Sequence, residues 1–185
     1  MTSTRPKEKD PGRGARTTVN LRKPTAADGV DIWELVADCP PLDRNSMYCN
    51  LLQCTHFADT SVLAEQDGAA LGWISGYCPP AEPTTLFVWQ VAVHRGARGM
   101  GLARKMLLAL LQRDTLKHIR YLKTTITPGN DASRALFRSF ASTVGAPIGE
   151  GPGFDTDTHF SGRHESERLV RIGPIRLPRD ARSAA

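Results

Sequence analysis

Arg98, Gly99, Gly101 and Ala103 are the residues whose types and spacing most directly imply chemistry, because together they can hold a pyrophosphate. They follow the apolar run TLFVWQVAV (Thr85 to Val93) and lead into the amphipathic segment LARKML. Gly96, Gly99 and Gly101 allow the backbone to approach a ligand closely. The first N–H groups of a helix beginning near Gly101 have no partner within the helix, and the helix dipole adds about half a positive charge at that end. Phosphate oxygens satisfy both conditions. Arg95, Arg98, Arg104 and Lys105 supply local positive charge to attract them.

The spacing separates this turn from other phosphate loops. There is no Lys-Ser/Thr pair for a nucleotide and magnesium, and Gly99-Met100-Gly101 is followed by Arg104 where a dinucleotide fingerprint needs its third glycine. The alternative without a ligand is an ordinary strand–turn–helix with a glycine-rich connection. R-x-x-G-x-A over Arg98, Gly101 and Ala103 resembles the acyl-CoA pyrophosphate signature of the GCN5-related N-acetyltransferases. That resemblance implies an α/β (α+β) fold with a central mixed, mostly antiparallel sheet flanked by helices. It also implies a splay between the two central strands, with acetyl-CoA as cosubstrate in the gap. Carried over residue by residue, the cofactor contacts would be Val91, Val93, Arg98, Gly99, Gly101, Ala103, Asn130 and Ser133.

The rest of the chain reads as the frame for that turn. Val19–Arg22 alternates as a short strand, and Thr25–Asp28 has the pattern of a capping box opening a helix with Ile32, Trp33, Leu35 and Val36 inward. Pro40-Pro41 stops it. Asn45 or Ser46 caps a second helix carrying Tyr48, Leu51, Leu52 and Phe57. Asp67-Gly68 joins Ser61–Glu65 to Ala69–Tyr77 as a hairpin. The run from Thr85 lacks charge over nine positions, as in a strand covered on both faces. A helix from Gly101 to about Arg113, a strand Tyr121–Ile126 and a helix capped by Asn130 or Asp131, with Ala132, Ala135, Leu136, Phe137 and Phe140, complete the pattern. Gly145 to Gly162 predicts a long functional loop or lid, and Leu169–Ile172 a last strand.

At 185 residues and 40% apolar content the chain has one real core. We expect a disordered basic leader over 1–18, a single domain over 19–175 and a flexible tail over 176–185. Much of the net charge of +5 sits in those ends, which argues against nucleic acid as the partner. The leader lacks the apolar centre of a secretory signal, and no run approaches the roughly 20 apolar residues of a membrane helix, so the chain reads as cytoplasmic without a membrane partner. Cys39, Cys49, Cys54 and Cys78 form no C-x-x-C, and Cys49 and Cys54 are expected as buried free thiols. His159 and His164 with Glu165 lack the spacing of a metal site, so no metal is expected.

A second set of motifs narrows the substrate. Pro41-Leu42-Asp43-x-Asn45-Ser46-x-Tyr48, Cys54–Thr60, Thr85–Val93, Thr127-Pro128-x-Asn130-x-Ala-Ser133 and His164-Glu165-x-Glu167 with Arg171-Ile172 together resemble the L-2,4-diaminobutyrate acetyltransferases of ectoine biosynthesis. The resemblance implies transfer of acetyl from acetyl-CoA to the side-chain amine, in a homodimer. A diamino acid needs acidic groups, a carboxylate partner and an aromatic wall. Asp43, Tyr48, Trp89, His164 and Glu165 are the candidates: Asp43 for an ammonium, Trp89 for the methylenes or a cation–π contact, and His164 with Glu165 to close the site. On residue type alone, Trp89 and Tyr48 also suit packing roles, Asp43 a turn, and FSGRHESER a solvated loop. Glu165, His164, Asp43 and Tyr48 are open as proton acceptors, and the Val91 N–H would meet the oxyanion beside Trp89. Many relatives carry a tyrosine after the Asn130 segment; ASRALFRSF has Phe137 and Phe140 instead, so no phenolic acid is expected there. The alternatives are another small amine or a protein amine as acceptor, or a non-catalytic acyl-CoA or nucleic-acid binding module.

Overall fold

A computed structural model describes residues 18–176, so nearly all of the expected leader and tail lies outside the described residues. In chain order the elements are β1 (Asn20–Arg22), a 3-10 turn (Ala26–Asp28), α1 (Gly29–Ala37), α2 (Met47–Thr55), β2 (Val62–Gln66), β3 (Ala69–Tyr77), β4 (Thr85–Val93), α3 (Leu102–Leu111), β5 (Tyr121–Ile126), α4 (Asp131–Thr143), β6 (Ile148–Phe154) and β7 (Glu167–Ile172). The strands form one sheet in the order β1-β2-β3-β4-β5-β7-β6. Every pairing is antiparallel except β4 with β5. That parallel pair is joined only at Thr85↔Tyr121, Leu86↔Leu122 and Phe87↔Lys123, after which the strands diverge.

Helices cover both faces. On one, α1 sets Ile32, Leu35 and Val36 against Leu63, Trp73 and Ala92. On the other, Leu102, Met106, Leu107 and Leu110 of α3 and Phe137 and Phe140 of α4 bury Ile74, Leu86, Val88, Leu122, Val170 and Ile172. The entry to α1 is held by Asp28, whose Oδ2 accepts from the Thr25 N–H at 2.6 Å and the Thr25 hydroxyl at 2.9 Å. Arg22 donates to both Asp28 oxygens and to Glu65, tying β1 to α1 and β2. Those bonds favour the carboxylate and hold the Asp28 pKa down at about 2. The hairpin turn has φ of 53° at Asp67 and 80° at Gly68, the left-handed pair that suits a two-residue connection between twisted strands.

Three expectations need correction. Trp33 is half-buried rather than inward: its indole donates to the Asn45 carbonyl at 3.1 Å, and the Arg44 guanidinium lies 4.3 Å from its ring. In α2 the buried face is Asn50, Gln53 and Cys54, Cys49 is half-buried rather than buried, Tyr48 is exposed, and Phe57 falls beyond the helix end. The expected loop from Gly145 to Gly162 contains β6, which pairs with β7 from Ile148↔Ile172 to Gly151↔Leu169 and again at Phe154↔Glu167. Its glycines hid it, although Gly153 is what permits the pairing: a Cβ there would sit 2.2 Å from the Glu167 carbonyl oxygen.

Candidate active site

A cleft of about 780 Å³ opens where β4 and β5 part. Its floor is Val91 and Val93 of β4, one wall is the turn Ala97–Gly101 with the start of α3, and another is the first half of α4. Gly101 caps α3 at φ 70°, and Gly99 has φ 76°, conformations that glycine adopts without strain. The first backward bond of α3 runs from the Lys105 N–H to the Gly101 carbonyl, so the N–H groups of Leu102, Ala103 and Arg104 have no partner inside the helix. Arg98 is fixed through its Nε, which donates to the Val93 carbonyl at 3.0 Å. Asn130 caps α4 by accepting from the Ser133 N–H at 3.0 Å, and both residues line the cleft.

All eight sequence-predicted cofactor residues therefore meet around one cavity, and their chemistry fits a pyrophosphate with a slender arm. Sequence reasoning missed the third wall, Cys39-Pro40-Pro41-Leu42 between α1 and α2. It also missed the bridge in which Arg104 Nη1 donates to Ser139 Oγ at 3.0 Å, from α3 to α4. Ala132 and Ala135 line the cleft rather than packing beneath α4.

β4 carries a bulge at the site. Ser75 pairs with Gln90 but Gly76 with Val88, leaving Trp89 as an extra residue. The bulge resets which face each later side chain meets: Val88 and Val91 lie on the α3 side, whereas Ala92 lies on the α1 side. Trp89 itself is 45% exposed, which removes the core reading. The His94 N–H donates to Leu71 across β3, and backbone N–H direction alternates along a strand. The N–H groups of Val93 and Val91 therefore point the other way, into the gap beside β5.

Charged residues gather next to this point. Asp43 follows Leu42 of the cleft wall, and its Oδ2 lies 3.5 Å from His164 Nε2. His164 Nδ1 is 2.7 Å from the Glu165 carbonyl oxygen, an acceptor, so Nδ1 carries the hydrogen. That bond, with Asp43 and the nearby glutamates, raises the His164 pKa above its ordinary value. The Phe160 ring packs against the same imidazole, tilted by 44° with the ring centroids 4.8 Å apart. The Glu165 side chain, expected to close the site, is exposed. Glu167, at the start of β7, is the acid that turns inward: burial raises its pKa, Thr125 partly offsets this by hydrogen bonding, and His164, Asp43 and Glu165 are its charged neighbours. Its Oε2 is buried without a hydrogen-bond partner. The sequence signal for Glu167 was its place in the His164-Glu165-x-Glu167 motif; its burial left no trace there. Tyr48 is 68% exposed on the first turn of α2, and no hydrogen bond joins it to this cluster. Among the described residues no group of three or more His, Cys, Asp or Glu side chains could hold a metal ion, and no helix is long and apolar enough to cross a membrane.

Residues 30–141 match the sequence profile of the Acetyltransferase (GNAT) family. The chain belongs to that family. Among GNAT proteins it is 48% identical over 166 residues to the L-2,4-diaminobutyric acid acetyltransferase of Methylotuvimicrobium alcaliphilum, covering 90% of this chain and 96% of that one. It is 47% identical over 162 residues to the enzyme of the same name from Chromohalobacter salexigens, covering 87% and 84%. Among solved GNAT structures, the diaminobutyrate acetyltransferase EctA from Paenibacillus lautus, in complex with L-2,4-diaminobutyric acid and coenzyme A, superposes with a TM-score of 0.82 at 39% identity, covering 89% of this chain and 99% of that one. The parted β4 and β5, the cleft between them and the glycine-rich entry to α3 are thus the acyl-CoA frame of a GNAT fold. Within it, α4 presents no phenol: Phe137 and Phe140 are both buried in the core.

Proposed function

We propose that this chain transfers the acetyl group of acetyl-CoA to the 4-amine of L-2,4-diaminobutyrate, giving N4-acetyl-L-2,4-diaminobutyrate for ectoine biosynthesis. One observation supports the reading: the cleft and the Asp43–His164–Glu167 cluster adjoin, Leu42 of the cleft wall being followed by Asp43, whose carbonyl accepts from Gln90 next to Val91. The relative of known structure holds both diaminobutyric acid and coenzyme A. Asp43 takes one substrate ammonium, Trp89 lies along the methylenes, and His164 orients Asp43. Tyr48 and Glu165 flank these residues in sequence and add an aromatic surface and negative charge. The pyrophosphate rests on Arg98, Gly99, Gly101 and Ala103, with Val93, Asn130 and Ser133 along the arm.

An alkyl ammonium has a pKa of about 10, so a proton must leave before attack. Glu167 accepts it in this reading, because a carboxylate raised by burial is a better match to an amine than a solvated one. The nitrogen lone pair then attacks the thioester carbonyl carbon directly, without an acyl-enzyme. The carbonyl electrons move to oxygen, where the inward Val91 N–H donates. Collapse expels the CoA thiolate; a thiolate is a modest base, the conjugate thiol of a Cys-like group having a pKa of about 8.5, so it departs without a phenolic acid and takes a proton from the new ammonium or water. We place this activity in a cytoplasmic homodimer built from one domain over 19–175.

Thiol release from acetyl-CoA, followed with a panel of amines, tests the proposal. Diaminobutyrate should have the highest kcat/KM, with the product acetylated at N4. Faster turnover of another amine would reassign the substrate, and no turnover on any amine would leave only an acyl-CoA binding role.

A further inference from the structure

Gln90 is a buried polar side chain on the central strand that the mechanism above does not use. It is 7% exposed and lies between Trp89 and Val91, whose roles face substrate and thioester. Its Nε2 donates to the Asp43 backbone carbonyl at 2.7 Å, and its Oε1 accepts from Asn45 Nδ2 at 2.9 Å. The orientation of the amide is determined chemically, since a carbonyl oxygen can only accept and an amide nitrogen only donate. Asn45 is held in turn by the Trp33 indole on its carbonyl. The segment from Asp43 to Asn45 has no regular structure of its own, and these side-chain bonds fix it to β4 and α1.

We infer that Gln90 is a positioning residue for substrate selection: its amide sets the distance between the Asp43 loop and the acetyl-transfer point on the same strand. The bulge at Trp89 is what turns Gln90 toward that loop while Val91 turns toward the cleft. One strand thereby fixes both reactants relative to each other. A substrate whose amine-to-ammonium spacing differs by one methylene would be misplaced, and effects of that size on alignment are large in transfer reactions. The inference rests on Asp43 as the ammonium ligand.

The test is a double-mutant cycle with Gln90→Leu, Asp43→Asn and the pair, measuring initial rates against both substrates and thermal midpoints. Gln90→Leu should raise KM for diaminobutyrate about tenfold, leave KM for acetyl-CoA within about twofold, and narrow the preference for diaminobutyrate over its one-methylene homologues. The pair should be no worse than Asp43→Asn alone. Independent, multiplying effects, or equal loss for both substrates, would overturn the inference. Should Asp43→Asn leave KM for diaminobutyrate unchanged, the ammonium role of Asp43 fails separately. If Gln90→Leu does not fold, Asn45→Ala, which removes one of the two amide bonds, should show the same KM split in weaker form, and an unchanged KM there would refute the inference.

Discussion

Replacing Glu167 by glutamine keeps the shape of a side chain while removing its ability to take a proton. Burial raises the Glu167 pKa, so the folded state binds its proton more tightly than the unfolded chain does. The stability contribution of such a group is fully present below the unfolded value of about 4.3 and is lost as pH rises through the folded one. At neutral pH the ionised wild-type group is therefore a burden. With Oε2 lacking a partner, the neutral amide should recover on the order of 1 kcal/mol, a low figure because the side chain is only half-buried. For a domain of this size that is a gain of roughly 2–4 °C in Tm, shrinking to nothing below about pH 4. Loss of a general base should meanwhile lower kcat by about 10²–10⁴, or roughly 3–5 kcal/mol of barrier, and abolish the acidic limb of the pH–rate profile. Stopped-assay rates across pH and thermal unfolding at matched pH measure both halves. A variant within about threefold of wild type, or one that loses stability at neutral pH, would refute the reasoning.

Arg98→Ala should raise KM for acetyl-CoA about tenfold or more while leaving KM for diaminobutyrate nearly unchanged, since a charge-assisted bond is worth roughly 1.5–3 kcal/mol; initial rates with each substrate varied would check it. Trp89→Ala should reverse that pattern and leave the Tm within a few degrees, because the side chain is largely outside the core; calorimetry and kinetics on one preparation suffice. Gly101→Ala should lower the Tm and weaken acetyl-CoA together, the strain at φ 70° being roughly 1–2 kcal/mol. In the native protein Cys49 and Cys78 should react with a thiol reagent well before buried Cys39 and Cys54, the Cys54 thiol being pushed up to about 11 by burial; reagent titration with peptide mapping reads the order.

The legible parts of this chain were those written in local chemistry. The Thr25–Asp28 cap, the Asp67-Gly68 turn, the Ser46 and Asn130 caps, the apolar face of α3 and the Phe137 and Phe140 positions of α4 all stand where spacing placed them. What stayed hidden depends on long-range partners. A strand spelled IGEGPGF lacks alternation because it lies at the sheet edge, where every residue but Gly151 is exposed and no buried face imposes a period of two. The bulge at Trp89 has no signature in TLFVWQVAV, so the changed direction of Gln90 could not be read. Glu165 and Glu167 are the same residue type two positions apart, and only the pairing of β7 with β5 and β6 decides which one is enclosed.

The three residue pairs between β4 and β5 divide the sheet into two plates that share one short seam. Leu86 and Leu122, the middle pair of that seam, are fully buried and lock the plates together. Beyond Phe87 and Lys123 the strands part, and the plates are held across the gap by the helices α3 and α4 packed over them. A molecule wedged there touches β4, α3 and α4 at once, so its arrival stiffens the joint it occupies. Amides at the seam should keep their hydrogens with or without ligand, while those of Val91 and Val93 should gain protection in proportion to how fully the wedge is filled. The fold thus couples grip and rigidity mechanically: the same three pairs that leave room for acyl-CoA make it the missing spacer between two halves of one sheet.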